Sequence, residues 1–146
     1  MQVMTTLPQE NLNDVPQAAR NAEMVGFDMV ATMENRYEPF MPLAAAAIST
    51  KTINIGTAVA IAFPRSPMVV ASTCWDLNNA SGGRFVLGLG PQIKPHNEKR
   101  FSVPWSPPAP RIREYVLALR AIWKTWEHGE KLDFRGEHYT FTLMTP

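Results

Sequence analysis

This sequence predicts an α/β fold built on a parallel sheet, and three observations point to it. Hydrophobic spacing switches repeatedly between the strand period of two and the helix period of about 3.6. The run from Ile53 to Ala62 is β-branched and apolar and almost without charge, as in strands covered on both faces by helices. The segments follow the order βαβαβαβα and then a hairpin, which implies parallel strands joined by right-handed crossovers.

The elements follow in turn. Gln2 to Thr6 is a short apolar start read as a strand. Asp14 is the expected N-cap of the first helix, with Gln17 as its reciprocal partner three residues on. Val15, Ala18, Ala19, Ala22 and Val25 then fall at helical spacing, and Gly26 supplies the stop because it tolerates positive φ. Phe27 to Met33 reads as the second strand, Phe40 to Ile48 as a short alanine-rich helix, and Ile53 to Ala62 as the third strand. Ser66-Pro67 offers an N-cap followed by proline at the first helical position. That helix passes through Val70, Cys74 and Leu77 and stops near Gly82-Gly83, before a fourth strand from Phe85 to Leu89.

An irregular stretch follows, with Pro91, Pro95, Pro104, Pro107, Pro108 and Pro110. It is too long for an ordinary connection and is therefore a candidate functional loop. In the last helix Ile112, Val116, Leu119, Trp123 and Trp126 are expected to form one apolar stripe. Gly129 follows, and Leu132 to Phe141 reads as a hairpin turning around Arg135-Gly136-Glu137.

Composition narrows the function. The 146 residues suit one domain or part of one, and 45% are hydrophobic, enough for a core. A net charge of +1 recruits neither nucleic acid nor an anionic membrane surface. The small basic group at Lys94, Lys99 and Arg100 reads as a solvated loop. Cys74 is the single cysteine, so intramolecular disulfides and cysteine-based metal sites are excluded. Its apolar helical setting predicts a small buried hydrophobe. The start from Met1 to Glu10 lacks signal-peptide character, and no apolar run approaches a membrane span. A cytoplasmic location is the expectation. No Gly-x-Gly-x-x-Gly turn follows the first strand, and no phosphate-binding Gly-x-x-x-x-Gly-Lys-Ser/Thr segment is present. Pattern alone leaves a doubly wound open sheet and part of a β/α barrel both open.

Four segments carry more. They are Ala22-Glu23-Met24-Val25-Gly26-Phe27-Asp28; Ile55-Gly56-Thr57-Ala58-Val59 with Pro64-Arg65-Ser66-Pro67; Ser81-Gly82-Gly83-Arg84-Phe85-Val86-Leu87-Gly88-Leu89-Gly90; and Arg113 to Trp123. In order and spacing they resemble the luciferase-like monooxygenase superfamily, especially its branch dependent on coenzyme F420. The hairpin at Phe134-Arg135-Gly136-Glu137 fits as well. The resemblance implies the N-terminal half of a (β/α)8 TIM barrel, about four β/α units plus a hairpin, with residues 1–146 one partial domain. Active sites of such barrels lie at the C-terminal ends of the strands.

The resemblance also implies site residues. A bulge ending the third strand would carry a non-prolyl cis peptide at Ala58-Val59, backing a flavin ring; the residues alone also allow an ordinary buried strand. Glu34 and Asn35, ending the second strand, match a place that often holds an acid followed by histidine, assisting proton transfer. Asn35 departs from histidine, and Glu34 by itself reads equally as a solvated carboxylate. Pro91, Gln92 and Asn97 fall in the loop that touches the ring, with Pro91 where small polar residues are common. His96 is a weaker candidate there, while His128 and His138 are assigned no role. Phe101 to Pro108, around Trp105, reads as a lid or as rim packing.

The implied activity is hydride transfer between coenzyme F420 and a small-molecule organic substrate. The alternatives are an FMN-dependent monooxygenase and a truncated, non-catalytic half-barrel. Either the chain is a fragment or its open sheet edges must be buried by pairing with another chain, so a homo-oligomer is expected, with no nucleic-acid or membrane partner and no metal.

Overall fold

The structure is a computed structural model describing residues 1–145. Pro146, which closes the expected span 1-146, lies outside the described residues. The sequence reads as one partial domain; the chain clusters into two compact units. One comprises Met1–Ala60 and Thr73–Leu89, the other Ile61–Ser72 and Gly90–Pro146.

The first unit holds a four-stranded sheet in the order β1-β2-β3-β5. Its strands are β1 (Met4–Thr6), β2 (Met29–Thr32), β3 (Asn54–Thr57) and β5 (Phe85–Val86). Every pairing is parallel. Helices α1 (Val15–Val25) and α2 (Phe40–Ser49) supply the first two crossovers. They pack against each other, and Val15, Ala19, Leu43 and Ala46 join Val30 and Ile55 in a core sealed from solvent. Val30 and Ile55 are register partners, so both point to one face of the sheet.

The capping of α1 differs from expectation. Asp14 already has helical φ and ψ and makes no side-chain cap. A 3-10 turn over Leu12–Asp14 precedes the helix, and Asn11 caps that turn by accepting the Asn13 N–H at 3.1 Å. Capping needs an extended residue whose side chain folds back over the first amides, and Asn11 is the residue with that backbone. The Gln17 side chain bonds Asn21 and Arg20 instead. At α2, Glu38 accepts the Phe40 and Met41 N–H groups at 2.7 and 2.8 Å. Gly26 ends α1 at φ 94° as the pattern predicts.

Two expected strands are each broken in two. The run Ile53 to Ala62 becomes β3 and β4 (Ala60–Ile61), interrupted at Ala58-Val59. Phe85 to Leu89 becomes β5 and β6 (Leu89–Gly90). The sequence stays apolar through both breaks, so hydropathy does not register the change of partner. β4 now pairs with β6. Helix α3 (Pro67–Ser81) begins as expected, with Ser66 Oγ accepting the Met68 N–H. Cys74 on it is buried, and burial pushes its thiol up to about 12, consistent with an inert core residue.

In the second unit the proline-rich stretch is not wholly irregular: His96–Arg100 forms a π-helical turn. Helix α4 (Pro108–His128) starts one turn earlier than the apolar stripe implied. Its buried face is Tyr115, Ala118, Leu119, Ile122 and Thr125. Ile112, Val116, Trp123 and Trp126 are only half-buried beside it. The large indoles flank the seam because their N–H groups need partners; Trp123 donates to the Ala71 carbonyl. The hairpin of β7 (Phe134–Arg135) and β8 (Thr140–Phe141) is antiparallel. Glu114 of α4 accepts the N–H groups of Glu137, His138 and Tyr139 at 2.7 to 3.0 Å. A Cβ on Gly136 would stand 2.1 Å from that carboxylate, so a larger residue there would displace the Glu114 side chain from these amides.

Candidate functional site

The C-terminal ends of the first unit's strands are marked by threonine. β2 and β3 both finish on one, and Thr32 and Thr57 are register partners, 0% and 2% exposed. Each turns its hydroxyl on a neighbouring backbone. Thr32 Oγ1 donates to the Pro39 carbonyl at 2.7 Å. Thr57 Oγ1 donates to the Gly88 carbonyl at 2.7 Å and accepts the Gly88 N–H at 3.0 Å. Two chain segments are thereby held together just where the ladder between β3 and β5 ends.

Beyond Thr57 lies a shelf. The Ala58-Val59 peptide bond is cis without proline, at the position the resemblance implied. The Ala58 N–H donates to Thr32 (2.8 Å), the Glu34 N–H donates to the Val59 carbonyl (3.3 Å), and the Ala60 N–H donates to Gly88 (2.9 Å). A Cβ on Gly88 would come 2.1 Å from the Thr57 carbonyl oxygen, so only glycine permits this approach. The shelf is pinned from behind while its side chains face outward. Ala58 is half-buried and Val59, an isopropyl group, is 43% exposed.

Glu34 and Asn35 follow β2 on the same end. Glu34 is 8% exposed, and its backbone is the one tied to Val59. Asn35 is exposed and lines a cleft with Gln9 and Arg36. The structure therefore brings Glu34, Ala58 and Val59 together within one unit.

Pro91, Gln92 and Asn97 belong to the second unit, after β6. Gln92 takes φ 59°, the left-handed region that costs a non-glycine residue. Asn97 braces it from both sides: its Nδ2 donates to the carbonyls of Pro91 (2.9 Å) and Ile93 (3.1 Å). Gln92 Oε1 accepts the Ile93 N–H at 2.9 Å. Asn97 is wholly buried, and its Oδ1 has no hydrogen-bond partner among the described residues. His96, beside it, is exposed, and Trp105 is half-buried.

The sequence profile of the luciferase-like monooxygenase family matches residues 1–146. The chain belongs to the luciferase-like monooxygenase family. It is 54% identical over 129 residues to an uncharacterised protein of Mycobacterium tuberculosis, covering 88% of this chain and 38% of that one. Among solved structures it resembles the coenzyme F420-dependent tetrahydromethanopterin reductase of Methanopyrus kandleri, with a TM-score of 0.77 and 24% identity over 96% of this chain and 44% of that one. It also resembles the FMN-bound oxygenating constituent of 3,6-diketocamphane monooxygenase of Pseudomonas putida, with a TM-score of 0.80 and 18% identity over 99% and 45%. The chain thus spans 38% of the length of its mycobacterial relative. Its fold is the N-terminal half of a (β/α)8 TIM barrel.

The opposite, N-terminal ends of this luciferase-like sheet carry residues whose role the sequence left unassigned. Arg84, inside the Ser81-Gly82-Gly83-Arg84 motif, is a tie. Its guanidinium donates to the carbonyls of Ala47, Thr50, Ile53 and Ser81 and to the Thr50 hydroxyl. Glu23 Oε1 accepts the N–H groups of Lys51, Thr52 and Ile53 at 2.6 to 3.0 Å. Burial alone would raise its carboxyl, but these backbone donors outweigh it and hold the pKa at about 2. The strand-terminal threonines and Gly88 also went unassigned, although a signal exists: the segments Met4-Thr5-Thr6, Met29-Val30-Ala31-Thr32 and Asn54-Ile55-Gly56-Thr57 all end alike.

Proposed function

We propose that this chain supplies the ring-binding half of a flavin- or deazaflavin-dependent oxidoreductase that transfers hydride between coenzyme F420 and a small organic substrate. The observation that carries the reading is the pinned, outward-facing apolar shelf of Ala58 and Val59. Its chemistry fits a flat ring: a methyl and an isopropyl group, no charge, and flanking amides already used within the protein. Burial of apolar surface would hold the ring there. When bound, the coenzyme supplies the hydride chemistry, and the protein supplies orientation and exclusion of water.

The chain's residues divide the remaining work. In the first unit Ala58 and Val59 would back the ring, and Glu34 and Asn35 would hold or pass a proton or hydrogen-bond the substrate. In the second unit Pro91 and Gln92 would offer contacts to a ring edge, Gln92 through its amide; Asn97, expected to touch the ring, is wholly buried and instead holds their loop. The likeness to an F420-dependent reductase supports the deazaflavin. A second reading, an FMN-dependent monooxygenase, draws on the likeness to an FMN-bound structure. Titrating the protein with F420 and with FMN separates them by coenzyme fluorescence. Tighter binding of F420, with turnover of substrate in the absence of oxygen, is expected. Tight FMN binding with oxygen consumption would favour the second reading, and binding of neither would leave a non-catalytic half-barrel.

A further inference from the structure

The loop that follows β6 in the second unit leaves from a fixed point. The Ala62 N–H donates to the Gly90 carbonyl at 2.9 Å, and Pro91 beside it has its φ set by its own ring. Gln92 then takes φ 59°, a conformation that persists in a residue with a Cβ only where its surroundings over-determine it. Asn97 supplies those surroundings. Its side chain is sealed from solvent, and its Nδ2 donates to the Pro91 carbonyl at 2.9 Å and the Ile93 carbonyl at 3.1 Å. The Asn97 N–H donates to the same Ile93 carbonyl at 3.1 Å, and the Asn97 carbonyl accepts the Val103 N–H at 2.9 Å. The carbonyls before and after Gln92 are thus anchored on one buried residue.

This frame gives the half-buried Gln92 amide a polarity. Oε1 accepts the Ile93 N–H at 2.9 Å. The reverse orientation would set an NH2 group against an N–H, so the oxygen is the atom that faces the backbone. Nε2 is left over: it makes no hydrogen bond among the described residues and, unlike Asn97 Oδ1, is not closed to solvent. An amide ordinarily offers a donor and an acceptor; here the acceptor is committed and the donor remains. Such a group takes an oxygen and refuses an N–H. The edge of a flavin or deazaflavin ring carries both, with two carbonyls flanking an N–H at the pyrimidinedione end. The deazaflavin of F420 adds a phenolic oxygen at the opposite end. We propose that Gln92 is a donor-only contact to an oxygen of the ring edge, and that Asn97 is the positioning residue that makes it so. This role rests on the ring-binding reading and narrows it to the oxygens of the ring.

Fluorescence titration of the 146-residue chain and its variants tests both residues. The probes are F420, FMN and riboflavin, which has no anionic tail; affinities are taken per folded molecule. Gln92→Met removes the donor and should weaken binding about fivefold, the size of one neutral hydrogen bond. Gln92→Glu keeps an acceptor for the Ile93 N–H but sets a carboxylate against the ring oxygen, and should weaken binding about thirtyfold. Loss with all three probes places the contact at a pyrimidinedione carbonyl, and loss with F420 alone places it at the phenolic oxygen. Loss with F420 and FMN but not riboflavin would mean repulsion of the tail and would overturn the proposal. Asn97→Ser cannot span the two carbonyls. It should weaken binding about as much as Gln92→Met and add no further loss in the Gln92→Met background. In the isotope-labelled unsubstituted chain, one Gln92 Nε2 proton should move downfield as the ring is added, a readout that does not depend on the variants folding. Undiminished affinity of Gln92→Glu, additive losses in the double variant, or a Gln92 amide unmoved at saturation would each overturn the proposal. Failure of the unsubstituted chain to bind any of the three probes would instead remove the ring-binding reading, and this role with it.

Discussion

The two ends of the first unit's parallel sheet use the same backbone for opposite purposes. At the N-terminal end, charged side chains turn inward and bind the chain to itself. Arg84 gathers carbonyls from α2 and the turn before β3, and Glu23 gathers three consecutive amides from that turn. At the C-terminal end of β3 the neutral Thr57 hydroxyl does the tying from beneath, and the Ala58-Val59 shelf that faces outward is small and apolar. The difference shows how a barrel-type sheet separates stability from recognition. The charge-assisted bonds of Arg84 and Glu23 sit at the end away from the shelf. Backbone amides and Thr57 hold the shelf from behind, which leaves its outer surface chemically plain.

That division can be tested by substitution, beginning with the largest effect. Arg84→Met should lower the unfolding free energy by about 3 kcal/mol in urea denaturation, because several carbonyls lose a charged donor together. Ring affinity per folded molecule should hardly change. A large loss of affinity with unchanged stability would dissolve the contrast between the ends. Gly88→Ala should cost about 2 kcal/mol, as the new methyl forces backbone away from backbone. Here affinity and stability should fall together, since the shelf itself must move.

Glu23→Gln should cost about 1 kcal/mol near neutral pH, where its hydrogen bonds are partly open to solvent. Its pH signature is sharper. The folded carboxyl sits at about 2, below its ordinary 4.5. Its contribution is therefore complete above about pH 4.5 and is lost as pH falls toward 2. Unfolding curves measured across that window should converge for the wild-type and variant proteins at the acid end. The smallest effect on stability belongs to Val59→Asn, within about 0.5 kcal/mol for a partly exposed position. Coenzyme affinity should nonetheless fall severalfold, read by fluorescence titration, because a polar group would interrupt the apolar shelf.

Much of the fold was legible because it depends on local chemistry. Gly26 at a left-handed helix stop, Ser66-Pro67 at a helix start and the doubly covered β3 each follow from conformational preference or periodicity. The misread cap shows the limit: Asp14 has the right side chain, but capping depends on a backbone angle that the preceding 3-10 turn had already taken up. The split strands were illegible for a related reason. Ala60 and Ile61 are as apolar as Ile55, and apolarity records burial without recording which strand is the partner.

The candidate site divides along the same line. Ala58-Val59 and Gln92 could be placed from family-like motifs, since those motifs retain position. Asn97 could be placed but not understood: only the folded loop shows its amide bridging the carbonyls on either side of a left-handed Gln92. Local sequence determined the order of strands and helices, the glycine stops and the apolar faces, because each is settled within a few residues. Tertiary structure alone decided the lock between Thr57 and Gly88 and the reach of Arg84. Those depend on segments more than twenty residues apart meeting at hydrogen-bond distance, and no local preference encodes that meeting.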